Sequence, residues 1–201
     1  MLMMLRLVRK TVIVACLIGA LPSYAQQPLE VEYVRPGADA SKYTGILIRP
    51  MDLSRAKVVP PPWADDRSPS AWALKPENIN IFQERYHDVM TEEIEADGNY
   101  KVVSEPGPGV LELDVRITSV TPYAKRGEDV IKKGTGEISV QAELIDSATG
   151  DLLAVIAGDQ EVGEEYKQNS INTDLENIDE LYSVWAQRLV ALLKKSDPVA
   201  N

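Results

Sequence analysis

The chain has 201 residues, of which 21 are basic and 31 acidic, for a net charge of −10 at neutral pH. Such a surface repels phosphate backbones, which argues against nucleic-acid binding, since that rests on Lys and Arg neutralising phosphates. One cysteine, Cys16, and one histidine, His87, leave no material for a disulfide framework or the usual zinc ligand sets.

The amino terminus reads as an export signal. Arg6, Arg9 and Lys10 precede an apolar run over residues 12–21, and Ser23-Tyr24-Ala25 gives the small-x-small pattern of a signal peptidase site, with cleavage between Ala25 and Gln26. The run is about half of the roughly twenty apolar residues that a membrane-spanning helix needs, so no span is expected after processing. Ile13-Val14-Ala15-Cys16 also fits a lipobox, in which Cys16 would carry a lipid and the protein would be an outer-membrane lipoprotein. Five residues separate Lys10 from Cys16, and the residues after Cys16 remain apolar, which suits a continuing signal core better than a tether. Cleavage after Ala25 leaves 176 residues without cysteine, with 18 basic against 31 acidic groups, near −13. That length suits one domain whose core needs no covalent staple.

Residues 26–42, QQPLEVEYVRPGADASK, are mixed in character and punctuated by Pro and Gly, and read as an extended leader. Residues 43–49, YTGILIR, are β-branched and closed by Pro50, a strand signal. Residues 51–77 show no period and carry Pro60, Pro61, Pro62, Pro69 and Pro76 with Trp63 and Trp72, an irregular stretch much longer than most loops of compact domains. From Pro76 the period becomes helical: Phe82, Tyr86, Val89, Met90 and Ile94 form one apolar face, and Gly98 stops it. Glu92, Glu93, Glu95 and Asp97 crowd the negative end of that helix, which calls for a basic partner.

Residues 100–103 give a short strand. Next, Leu111, Leu113, Val115 and Ile117 alternate with Glu112, Asp114, Arg116 and Thr118, and Ile138, Val140, Ala142 and Leu144 alternate with Glu137, Ser139, Gln141 and Glu143. Strict period two means one buried face and one wet face. A turn over residues 147–151 returns the chain as a third strand over residues 152–157 of an antiparallel meander. Leu175, Ile178, Tyr182, Trp185, Leu189 and Leu192 at steps of three and four give a last helix, with Thr173 and Glu176 as capping box and Lys194 and Lys195 at its carboxyl end. The expected fold is α+β: a two-layer sandwich with a mainly antiparallel sheet of about five strands and two helices on one face, in the order β-α-β-β-β-β-α. It forms a single domain over residues 43–195, with residues 196–201 as a tail.

The stretch EPGPG at residues 105–109 invites a ligand reading, because Gly-rich loops cradle phosphates. Pro106 and Pro108 have no N–H, however, and a strand follows Gly109, so the corner reads as the bend that launches that strand. EPGPGVLELDVRITSVTP, then AELIDSATGDLLA, then a final helix with WAQRLVALL together resemble the exported bacterial family of unknown function DUF3313, over about residues 43–193. The resemblance implies an exported protein, often a lipoprotein, and supplies no catalytic residue.

No residue set points to catalysis. His87 stands at the border of an apolar helix face, and no Gly-x-Ser-x-Gly elbow is present. Asp65-Asp66 and the run Glu161, Glu164, Glu165 could in principle hold a hard cation, but no EF-hand pattern supports it, so neither metal nor cofactor is expected. Two features exceed scaffolding. Trp63 and Trp72 combine stiff Pro-rich backbone with aromatic area suited to contact anchors, or else plug an edge of the sandwich. Lys125, Arg126, Lys132 and Lys133 give a basic loop at residues 123–136 that would meet an acidic partner or anionic headgroups, or else form a solvated hairpin tip. The leading expectation is a non-catalytic periplasmic module that docks another envelope protein and touches the membrane only peripherally or through acylated Cys16. The alternative is a periplasmic small-molecule or lipid carrier with a pocket between sheet and helices. A carboxylate-only enzyme ranks third.

Overall fold

The computed structural model describes residues 29–195. The signal with Ala25 and Gln26, the lipobox Cys16 and residues 196–201 lie outside the described residues.

The alternating segments form the centre of the molecule. Strand β5 (Val110–Pro122) pairs antiparallel along its length with β7 (Gly136–Asp146), which pairs antiparallel with β8 (Leu152–Val162). Leu113 sits opposite Leu144, Val115 opposite Ala142 and Ile117 opposite Val140, so apolar pairs stack along one face. Glu112, Asp114 and Arg116 take the other face, as the period requires.

Around this meander the sheet is larger than expected and mixed. Within the leader stretch, β1 (Glu30–Val34) adds antiparallel to the free edge of β8. On the other side β2 (Gly45–Ile48) runs parallel to the first half of β5, β3 (Lys57–Val58) parallel to its second half, and β4 (Lys101–Val102) parallel to β2. The seven strands follow the order β1-β8-β7-β5-β2-β4 with β3 beside β5, in place of about five mainly antiparallel strands. Side-chain period carries no information on strand direction, which helix α2 imposes here by crossing between β2 and β4. All four residues of β2 are buried, the continuous apolar run typical of a parallel strand covered on both faces. A second sheet joins β6 (Ile131–Lys133) to β9 (Tyr166–Gln168).

The Pro-Gly corner is the crossover from β4 to β5, which flank β2. Gly109 has a φ of 75°, open to glycine, and its carbonyl accepts from Thr44 and Gly45 N–H at 3.0 and 3.1 Å. Gly45 has no side chain where the crossover closes: a Cβ there would lie 3.0 Å from Val110 Cγ2 and 3.6 Å from the Val103 methyls. The corner holds backbone rather than ligand.

Three helices, not two, cover the apolar face. The short α1 (Pro69–Trp72) interrupts the Pro-rich stretch, with Ser68 and Pro69 as its start signal. Helix α2 (Pro76–Ala96) buries Tyr86, Met90 and Ile94, and α3 (Ile171–Lys195) buries Ile178, Tyr182, Trp185 and Leu189 against the same strands. Each such side chain contributes about 1.5–3 kcal/mol on burial. Helix α3 starts before the expected capping box at Thr173, because the Ser170 hydroxyl accepts the Thr173 N–H at 3.2 Å and serves as the cap. Arg85 pairs with Asp179, Ser183 Oγ donates to Glu93 at 2.5 Å and Lys194 pairs with Asp97, so the two long helices run parallel. Lys194 is the basic partner that the acidic end of α2 calls for.

Asp146, in the Asp-x-x-Thr-Gly turn, ties these parts together. Its buried carboxylate accepts from the Tyr43 hydroxyl at 2.8 Å, from Lys42 Nζ at 3.2 Å, and from Ala148 and Thr149 N–H at 3.0 and 3.2 Å. The Tyr43 hydrogen bond, with help from Lys42 and the two amides, holds this carboxyl below its ordinary value. A lowered folded-state pKa stabilises the fold above the ordinary carboxylate range, and the contribution is lost as pH falls through the folded value. Asp146→Asn is therefore expected to lose about 1–3 kcal/mol in urea unfolding at pH 7, with the gap from the parent chain narrowing below about pH 4. A gap that stays constant with pH would show that the ionised carboxylate is not the stabilising form.

Candidate functional site

The long helices begin at the same end of the molecule, and there the inner face of the sheet is left without a close cover. The result is a cavity of about 470 Å³ bounded by α1, the first turns of α2 and α3, the second half of β5 and the start of β7. Its wall is mostly apolar: Met51, Leu53 and Trp72 from the Pro-rich stretch, Phe82 from α2, Ile117 and Val120 from β5, Ile138 from β7, and Ile178 and Leu181 from α3. Ser70, Ala73, Lys75, Arg126, Gly127, Ser170 and Ile171 line it too and are themselves exposed, which marks the mouth.

The two loops singled out in the sequence meet at this mouth. Trp72 is buried at 8% exposure, and its Nε1 donates to the Asp66 carbonyl at 2.7 Å, so its ring forms part of the cavity wall. Lys125 Nζ lies 5.5 Å from the centre of that ring and 3.3 Å from Asp66 Oδ2. Two hydrogen bonds from Ser68, backbone first, and the charge of Lys125 hold the Asp66 carboxyl down to about 2. Arg126 is exposed, 3.7 Å from Glu77 Oε1 on the first turn of α2. Trp63 remains 64% exposed, its ring centre 5.4 Å from that of Tyr123.

Lys132 and Lys133 part company, because neighbours on a strand point to opposite sides. Lys133 pairs with Glu161. Lys132 turns inward, 6% exposed, and its ammonium donates to Asp174 Oδ1 at 2.7 Å, where the Thr135 hydroxyl also donates at 3.0 Å. Both line the cavity, as a neutral pair. Sequence reasoning did not mark Asp174, Lys75 or Asn78 as site residues; the start signals of α2 and α3 could have placed Asn78 and Asp174 on first turns and Lys75 just before α2, though not around one space.

The remaining candidates stand apart. His87 is well exposed, with Asp88 at 3.7 Å. Asp66 serves Lys125, Glu161 serves Lys133, and Glu165 pairs with Lys167 at 3.0 Å. Among the described residues no group of three His, Cys, Asp or Glu side chains is placed to hold a metal ion, and no helix is long and apolar enough to cross a membrane.

The chain is similar to three solved structures of bacterial proteins. One, from Xanthomonas campestris and of family DUF330, is 13% identical with a TM-score of 0.47, over 81% of this chain and 90% of that one. The PelC dodecamer from Paraburkholderia phytofirmans is 10% identical with a TM-score of 0.41, over 82% and 95%. Lipoprotein GNA1162 from Neisseria meningitidis is 13% identical with a TM-score of 0.32, over 74% and 99%. No curated protein matches the chain. The family model for proteins of unknown function named DUF3313 matches residues 22–189, and the chain belongs to that family.

Proposed function

We propose that this protein is a non-catalytic binding module of the bacterial envelope that takes an apolar ligand into the cavity between its sheet and its helices. The cavity itself carries the reading. Protein interiors pack as densely as organic crystals, and voids larger than a water molecule are few. A space of about 470 Å³ walled by Met51, Leu53, Phe82, Ile117, Val120, Ile138 and Leu181 is within the range of about 300–1,000 Å³ usual for small-molecule sites. The wall is mostly apolar, and the charged pair Lys132 and Asp174 within it is bound to itself, so the interaction it supports best is burial. This places the carrier reading ahead of the docking reading that led on sequence alone.

The docking reading keeps one observation of its own. Trp63 presents 64% of its surface beside Tyr123, and a large exposed aromatic of this kind is a contact anchor for a second envelope protein. The two readings are compatible, since Trp63 is not part of the cavity wall.

Each reading has its test. A neutral fluorescent dye, N-phenylnaphthylamine, should brighten when mixed with the parent protein, and Val120→Phe should weaken that binding at least about tenfold without lowering Tm, because the added ring enters existing space. A parent protein that leaves the dye dark, or a Val120→Phe chain that unfolds earlier by about 1–3 kcal/mol, as overpacking of a full core would, would remove the cavity reading. For docking, Trp63→Ala should leave stability within about 0.5 kcal/mol while Trp72→Ala costs about 3–5 kcal/mol. A photo-activatable residue at position 63 should then give a discrete protein adduct in cells. Equal destabilisation by both Trp substitutions would make Trp63 a structural plug instead.

A further inference from the structure

Resting on the cavity reading, we infer that the ligand is an anionic amphiphile whose apolar chain fills the cavity and whose carboxylate or phosphate head sits at the mouth, against Lys75, Lys125 and Arg126. The protein as a whole carries ten more acidic than basic groups, yet three of the residues where the cavity meets solvent are cationic. Lys75 has no acidic partner among the described residues. Lys125 and Arg126 do have partners, Asp66 at 3.3 Å and Glu77 at 3.7 Å, but both pairs are well exposed. Exposed pairs of this kind contribute little, so an incoming anion can share or replace the partner at little loss.

Backbone charge has the same sign. Helices α2 and α3 run parallel and both start at the mouth: Lys75 is the residue that precedes α2, Asn78 lies in its first turn, and Ser170 and Ile171 open α3. Each helix start carries roughly half a positive charge, and the two add at one place. Two acidic residues, Asp174 and Glu137, also border the cavity, Glu137 from an outward position of β7 opposite Glu161 of β8. Asp174 is neutralised by Lys132 at 2.7 Å. Burial, together with Asp159 and Glu161 nearby, holds the Glu137 carboxyl above its ordinary value, and those neighbours belong to the solvent side of the sheet. The interior therefore favours a hydrocarbon chain and the mouth favours an anion, while a cationic head would meet Lys75, Lys125 and Arg126 with like charge.

Titration calorimetry on the full chain with decanoate, decyl phosphate, 1-decanol and decyltrimethylammonium separates the components. We expect the anions to bind at least about tenfold more tightly than decanol and the cation to bind most weakly, with the anion preference shrinking as salt is raised. The triple substitution Lys75→Gln, Lys125→Gln, Arg126→Gln should bring the anions down to the decanol level and leave decanol itself unchanged. Of the two anions, the tighter one names the headgroup source, carboxylate or phosphate. Decanol binding as tightly as both anions, or anion binding indifferent to the triple substitution, would overturn the headgroup assignment while leaving the cavity reading intact. No binding by any of the four would overturn both.

Discussion

A mismatch of lengths shapes this molecule. At about 3.3 Å per residue β5 extends about 43 Å, whereas α2 at about 1.5 Å per residue covers about 32 Å. Helix α2 packs its Tyr86, Met90 and Ile94 against the sheet in its second half, and α3 lies parallel to it, so both helices give out at the same end. What closes that end is not a third long helix but a Pro-rich strap with one short helical turn, together with the small β6–β9 sheet. These pieces meet the core at its border, through Trp72, Leu53 and Lys132, without filling the space over Ile117, Val120 and Ile138.

The distribution of charge follows from the same arrangement. On the solvent side of the sheet the outward positions of β5, β7 and β8 hold Glu112, Asp114, Glu137, Glu143, Asp159 and Glu161. Arg49 forks onto Glu112 with bonds of 2.8 and 3.0 Å, and Lys133 meets Glu161, but acid prevails on that side. The helix side has cations at the mouth, midway along α2, where Arg85 meets Asp179, and at the opposite end, where Lys194 answers Asp97. A strongly acidic total therefore coexists with a local cluster of cations at the mouth, and net charge alone speaks only to solubility and to the exclusion of large polyanions.

How much of this could be read from the sequence depends on the range of the interaction that decides it. Leu111 to Ile117 and Ile138 to Leu144 announce their strands by strict alternation, and Ile178, Tyr182, Trp185 and Leu189 announce α3, because burial on one face imposes a local period. The start of α3 was misplaced by the competition between two hydroxyl residues, Ser170 and Thr173, only one of which caps it. The parallel pairing of β2 was not legible, since Gly45-Ile46-Leu47-Ile48 has neither alternation nor a turn to orient it. Nor was the cavity: its wall draws on Met51, Trp72, Val120 and Ile171, residues scattered over more than half of the chain, and no pattern in a sequence records what fails to fill a space.

The crossover at residues 103–109 bears on how the chain comes together. Strands β7 and β8 are joined by the turn at residues 147–151 and β5 and β7 by residues 123–135, whereas β2 finds both of its partners more than fifty residues later in the chain. Loop closure over that distance must be met before pairing returns anything, which makes β2 a late and slow addition. Once in place, it is held between β4 and β5 and strapped by the residues that connect them, with Gly109 bonded back to its first residue. This strand, which pairs across long stretches of chain, thus lies one in from the edge at β4 and is not itself an edge strand.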